Sequence, residues 1–221
     1  RSHCIQKADF PSQTTWAVTN SSEGLFWYES IAQFMSNEVY PSNDFEYHPM
    51  FGTFDGNLPF YEQSSPYLSE GFFQGLFWQL GGSQERMHAL QENLGSPSAV
   101  ESIMTIPRIA EFFHTIARKM SFQELNDSSG ALTPWRVNKQ IFTVSEAPTS
   151  RIDISFADFS TMPFEIIFPK KGQYRIRVST IPGAKLSVRK LGATEWQNNF
   201  ENEFTTDCNE DKKIEGIYTR V

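Results

Sequence analysis

The sequence has only two cysteines, no long apolar run and no excess of basic residues. A chain of 221 residues can bury a core without a disulfide scaffold or a structural metal. No apolar segment approaches the roughly 20 residues that a membrane-spanning helix needs, so we expect no membrane span. The formal net charge of -7, with Lys and Arg scattered along the chain, excludes the basic surface that nucleic acid requires.

Bulky apolar residues are abundant, with 20 Phe, 5 Trp and 39% hydrophobic residues in all. This composition predicts a folded protein rather than a disordered one. The chain opens at Arg1 with neither a starting Met nor a signal peptide, and it closes in a strand-like segment, 217–221. Both ends have the appearance of cut ends, for which processing, an engineered fragment and an incomplete chain stay open as explanations.

Cys4 and Cys208 lie near opposite ends of the chain and are either one disulfide or two free thiols. A bridge closing so long a loop would contribute about 5 kcal/mol and would tie the two parts of the chain together. The sequons at Asn20 and Asn126 are acceptor patterns for N-linked glycans. Together these features favour a secreted or extracytoplasmic glycoprotein.

The pattern of apolar residues predicts an α+β protein in two parts. Residues 1–137 are predicted to form a helical lobe, with helices over 25–39, from a cap at Ser69 to Leu80, and from the first turn at Pro107 to Met120. Residues 138–221 are predicted to form an antiparallel β-sandwich or barrel, because apolar residues alternate with Arg and Lys there. Its predicted strands are 140–145, 151–156, 164–168, 173–180 and 185–191, and its predicted core is Ile152, Ile154, Phe156, Ile166, Phe168, Tyr174, Ile176, Val178, Leu186 and Val188.

The first forty residues carry a pattern with a chemical interpretation. The chain begins His3-Cys4-Ile5-Gln6 and continues to Trp27-Tyr28-Glu29-Ser30-Ile31-Ala32-Gln33 within a predicted helix. This pattern resembles the second half of a gluzincin zinc metallopeptidase site, in which His-Glu-x-x-His on one helix is followed by a Glu ligand on another. The resemblance implies that Arg1 and Ser2 are the two variable residues, and that His3 and Glu29 are zinc ligands lying close together.

In such a site, zinc takes three protein ligands and leaves a fourth position for water. A glutamate beside the first His accepts the proton of that water, which then attacks a peptide carbonyl. The resemblance places that glutamate and the first His directly before Arg1, so the catalytic residues are not identified in this sequence. We therefore expect a fragment or processed chain of a secreted metallopeptidase, inactive unless upstream residues or another chain complete the site, with a protein or peptide as substrate.

The alternative is a non-catalytic surface or structural protein, in which the helical lobe is a scaffold and the β part binds a glycan or a protein. The remaining histidines give no second metal site. His88 is expected to be solvated on a polar helix face, and His114 to be a half-buried residue with satisfied hydrogen bonds. The role of His48 stays open.

Overall fold

The structure is a computed structural model that describes residues 23–40, 55–63, 70–79, 81–82, 88, 99–126, 137–144, 157–168, 173–177, 181–198, 203–207 and 213–221. Four α-helices lie in these ranges: α1 Glu23–Val39, α2 Glu70–Gln79, α3 Ala99–Met104 and α4 Ile109–Ser121. A 3₁₀ helix, Phe60–Glu62, precedes α2. None of the helices described is long and apolar enough to cross a membrane.

Helix α1 begins two residues before the predicted start and ends at the predicted residue. Helix α4 differs from the prediction at its beginning. Pro107 does not lie in its first turn, because the helix starts after Arg108, which adopts a left-handed conformation with φ 63°. Helix α3 has already ended at Met104, and the chain passes through turns around Ile106 before α4 begins at Ile109.

An aromatic cluster centred on Phe60 forms the core of the helical part. The Phe60 ring lies 4.2 Å from the ring of Phe72, 4.9 Å from Phe26 and 5.8 Å from Phe113, measured between centroids. Phe159, from the later part of the chain, is 5.6 Å from Phe60, and its carbonyl accepts a hydrogen bond from the Phe60 backbone N–H at 3.0 Å. The helical core therefore includes residues that follow Val137 in the sequence.

The described strands are β1 Gln140–Thr143, β2 Ser160–Ile167, β3 Gln173–Arg177, β4 Ala184–Lys190, β5 Gln197–Asn198, β6 Glu203–Asp207 and β7 Lys213–Arg220. Five of them form one sheet in the order β1-β2-β7-β4-β5, and β3 pairs with β6. The α+β prediction is confirmed, but the prediction of a purely antiparallel sheet is wrong at one pair. Strand β1 runs parallel to β2, which the long connection between them, residues 144–159, permits.

The five-stranded sheet has two chemically different faces. Its pairing register places one set of residues on an apolar face and the alternate set on a polar face. The apolar face is a buried core: Met162, Phe164, Ile166, Leu186, Val188, Ile214 and Tyr218. The polar face carries Thr161, Glu165, Lys185, Ser187, Arg189, Lys213, Glu215 and Thr219, with Pro163 and the fully buried Ile217 among them. Helix α4 packs on the polar face.

Candidate functional site

Glu29, the predicted zinc ligand on the described part of the chain, lies on α1 and is half-buried. Phe26 and Phe34 hold this helix against α2, with ring centroids 5.6 Å from Phe73 and 5.5 Å from Phe77. Because these contacts lie on either side of Glu29 along the helix, they hold in place the part of α1 that carries Glu29.

Glu29 shares its face of α1 with Ala32, Gln33 and Ser36. Ala32 on this face is only 5% exposed, and Gln33 and Ser36 are half-buried. The face is therefore partly covered rather than fully solvated. His3 lies outside the described residues, so its proximity to Glu29 stays a prediction.

The other predicted site residues are only partly within the described ranges. Cys4, Cys208 and Asn20 lie outside them. Asn126 is exposed to solvent. Its backbone carbonyl accepts a 2.7 Å hydrogen bond from Gln74 Nε2. Across the described ranges, no three His, Cys, Asp or Glu side chains come together as metal ligands.

A buried hydrogen-bonded chain joins α4 to the polar face of the sheet. His114, 6% exposed on α4, contacts Thr219 of β7 and Ser187 of β4, and both hydroxyls are at most 1% exposed. The ring atom Nδ1 lies 2.7 Å from Thr219 Oγ1, and Nε2 lies 2.7 Å from Ser187 Oγ. Asn198 on β5 extends this series of hydrogen bonds. Its Oδ1 accepts from Ser187 Oγ at 2.6 Å and from Arg118 Nη1 at 3.1 Å.

The direction of each bond follows from Arg118. A guanidinium only donates, so the oxygen of the Asn198 amide must face Arg118. Ser187 gives its proton to the same oxygen, and its Oγ therefore accepts from His114 Nε2–H. The remaining nitrogen, Nδ1, accepts from Thr219. The imidazole is thus assigned as the neutral Nε2–H tautomer by its network.

This assignment determines what the chain of bonds can do chemically. A serine nucleophile needs a histidine that accepts its proton, whereas His114 donates to Ser187. Burial, followed by the charges of Arg118 and Lys185, lowers the pKa of His114 to about 4. The ring is therefore neutral at pH 7, and the arrangement is suited to bonding a helix to a sheet rather than to activating Ser187.

A charged and aromatic cluster lies beside this chain of bonds. Arg189 Nε bonds Glu215 Oε1 at 2.7 Å, and Arg189 Nη1 bonds Glu124 Oε1 at 2.6 Å. Trp196 Nε1 donates to the same Glu124 oxygen at 3.2 Å. Lys139 Nζ lies 3.5 Å from Glu215 Oε2. The two carboxylates are therefore each shared between two donors.

Aromatic rings cover the cations of this cluster. The Arg189 guanidinium carbon lies 4.1 Å from the centroid of the Trp196 ring and 5.1 Å from that of Phe122. The two rings meet edge to face at 4.7 Å, and Arg118 lies 5.5 Å from Trp196. Cation–π contacts of this kind gain strength when they are shielded from water, so the cluster is a semi-buried structural unit with an aromatic outer part.

The sequence predicted neither the hydrogen bonds that join His114 to the sheet nor the charged and aromatic cluster around Arg189. The prediction that His114 has satisfied hydrogen bonds is confirmed, although the residue is almost fully buried instead of half-buried. The only sequence signal for Ser187 and Arg189 was the alternation Lys185, Ser187, Arg189 on β4. That alternation is typical of a strand face exposed to solvent. Comparisons of the chain with protein-family models, curated proteins and solved structures find no match.

Proposed function

We propose that this chain contributes His3 and Glu29 as ligands to the zinc site of a secreted, gluzincin-like metallopeptidase that hydrolyses peptide bonds. The observation that carries the proposal is the setting of Glu29, a half-buried carboxylate on a helix anchored by core contacts on both sides of it. A metal ligand has to be held in place by its surroundings, and the anchored backbone of α1 at Glu29 supports the proposal in that respect.

Glu29 also fits zinc in its chemistry, since carboxylate oxygen and imidazole nitrogen are ordinary ligands of this ion. Zinc, when bound, would lower the pKa of a water and polarise the peptide carbonyl. The motif places the first histidine and the proton-accepting glutamate directly before Arg1. Without those two residues, the chain is expected to be inactive.

The β part is proposed to be an accessory sandwich. Support comes from the apolar face of the five-stranded sheet, whose residues such as Phe164, Ile166 and Val188 are buried and require a covering layer. The β3–β6 pair is the proposed second layer. A Cys4–Cys208 bridge and glycans at Asn20 and Asn126 belong to the same proposal of a secreted glycoprotein.

The second candidate is a non-catalytic protein whose β part binds a glycan or a protein partner. The observation that favours it is the exposure of apolar side chains on and beside the sheet, with Ile141 63% and Leu191 45% exposed. In this case the helical lobe would act as a scaffold, and zinc would play no part.

The test compares this chain with a form extended by the residues encoded before Arg1. Bound zinc is measured by elemental analysis, and cleavage of an unfolded protein is assayed with and without a chelator. We expect one zinc and chelator-sensitive cleavage in the extended form only. Glu29→Ala should lose the zinc, whereas the control Glu101→Ala, at an exposed position on α3, should keep it.

Two outcomes decide against the peptidase. If the encoded sequence has no His-Glu pair directly before Arg1, the binding protein becomes the better account. If the extended form holds zinc but Glu29→Ala leaves that binding unchanged, the ligand assignment is wrong.

A further inference from the structure

One ionisable ring forms hydrogen bonds between α4 and the sheet, within a contact that also buries Ile217. His114 bonds two strands at once, through Thr219 of β7 and Ser187 of β4, each at 2.7 Å. All three side chains are buried, so water cannot replace a lost bond without separation of the helix from the sheet. Both partners of the ring are neutral hydroxyls, which provide no negative charge to stabilise an imidazolium.

Charged groups of both signs lie on the elements beside His114. They are Arg118 on α4 and, on the sheet face that α4 covers, Glu165 on β2, Lys185 and Arg189 on β4, and Lys213 and Glu215 on β7. Each of the carboxylates already has a cation, since Glu215 binds Arg189 at 2.7 Å and Glu165 binds Lys213 at 2.8 Å. Arg118 and Lys185 are the charges that act on the ring.

We propose that His114 is an acid-sensitive latch that holds α4 on the polar face of the sheet and releases it when the ring takes up a proton. Protonation turns Nδ1 from an acceptor into a donor, so the Thr219 hydroxyl must rotate to accept from it, and the ring becomes a buried cation bonded only to neutral hydroxyls. The new positive charge is also repelled by Arg118 and Lys185, the two cations that already lower the pKa of the ring. The apolar core on the opposite face contains no residue of α4, so the sheet persists while the helix opens. The buried Phe113, Ile116 and Met120 of α4 oppose this opening and keep the open state rare.

The pH range follows from the two protonation equilibria. The pKa of His114 is about 4 in the closed state and about 6.5 when the ring is solvated. Because the open state binds more protons between these values, the closed state is fully favoured above about pH 6.5 and loses its advantage as the pH falls towards 4. With the closed-state pKa of about 4, the opening equilibrium should rise about 20-fold from pH 7 to pH 5.

Hydrogen–deuterium exchange of the 221-residue protein at pH 7 and pH 5, corrected for intrinsic exchange rates, measures this opening. Amides of α4 should show the 20-fold rise, while the central β2 and β7 amides keep their protection. His114→Gln is the decisive variant, because a neutral amide offers one donor and one acceptor and does not titrate; its α4 opening should not depend on pH. The control His88→Gln, at an exposed position, should behave as the original chain.

NMR titration of the His114 ring in the original protein keeps the test valid if the Gln variant does not fold. The ring should stay neutral to below pH 5. Titration near pH 6.5 within the folded protein would overturn the proposal. So would α4 and β7 amides gaining exchange together, or α4 exchange in His114→Gln that rises with acid as it does in the original chain.

Discussion

The ion pairs of Arg189 provide a quantitative prediction about what holds the helical part on the sheet. Arg189 and Glu215 have side chains only 12% and 7% exposed, so water screens their attraction weakly. Arg189→Met keeps most of the apolar stem but removes the guanidinium, and with it the bonds to Glu215 and Glu124. Removing one partner of a buried pair costs about 3–5 kcal/mol. Since Lys139 remains 3.5 Å from Glu215, we expect the lower end, about 3 kcal/mol.

Arg108→Met is the matched control for this substitution. Arg108 also pairs with a glutamate, Glu111, but their side chains are 70% and 48% exposed. Surface pairs of this kind contribute about 0–1 kcal/mol, so the control should unfold nearly as the original protein does. Replacing Glu215 as well, by Gln, should recover part of the loss caused by Arg189→Met, because Glu215 is the more deeply buried of the two carboxylates that lose this cation.

Urea unfolding followed by circular dichroism measures these free energies. The expected order of stability is the original chain and Arg108→Met together, then the double variant, then Arg189→Met. Equal losses from Arg189→Met and Arg108→Met would refute the reasoning, since they would mean that solvent screens both pairs alike.

Two further substitutions test the packing. Gly216→Ala should cost about 1–3 kcal/mol by overpacking, because a Cβ there would meet the ring of Phe164 and lie 2.9 Å from the Ser187 carbonyl oxygen. Thermal unfolding should show a lower Tm for this variant. Adding Phe164→Leu should restore part of the lost stability. Phe60→Ala, in the aromatic cluster, should lower the unfolding free energy by about 3–5 kcal/mol. The control Leu58→Ala, at a position 38% exposed, should change it by about 0.5 kcal/mol or less. Equal effects of the two substitutions would contradict the described core.

Local periodicity was enough to locate most of the elements. Helix α1 follows from the three- and four-residue spacing of its apolar residues, and β4 from strict alternation. The residues at which elements end were less predictable. The start of α4 depends on the left-handed Arg108, and propensities do not favour that conformation in an arginine.

Long-range pairing was beyond a local pattern. Nothing in segment 140–143 indicates that it pairs parallel to β2, since pairing direction is set by connections and neighbouring strands. The polar face presented the same difficulty. Alternation along β4 showed that its two faces differ, but Ser187 is completely buried because α4 covers the face that resembles a solvated one.

The candidate site could be predicted only as a set of residue types. The pattern of the first forty residues suggested ligands, and the structure gives the surroundings of Glu29 alone. The His114 chain of bonds was missed because its members are 105 and 73 residues apart in sequence. Single Ser, Thr and Asn residues at such separations carry no recognisable motif.

The most direct test of the proposed function is the position of zinc itself. Crystals of the extended form, grown with zinc, would be measured by anomalous diffraction at the zinc absorption edge. We expect one strong peak about 2.0–2.2 Å from a His3 nitrogen and a Glu29 oxygen. The histidine encoded before Arg1 should be the third protein ligand. A zinc peak remote from Glu29, or a structure in which His3 and Glu29 lie on opposite sides of the helical part, would contradict it.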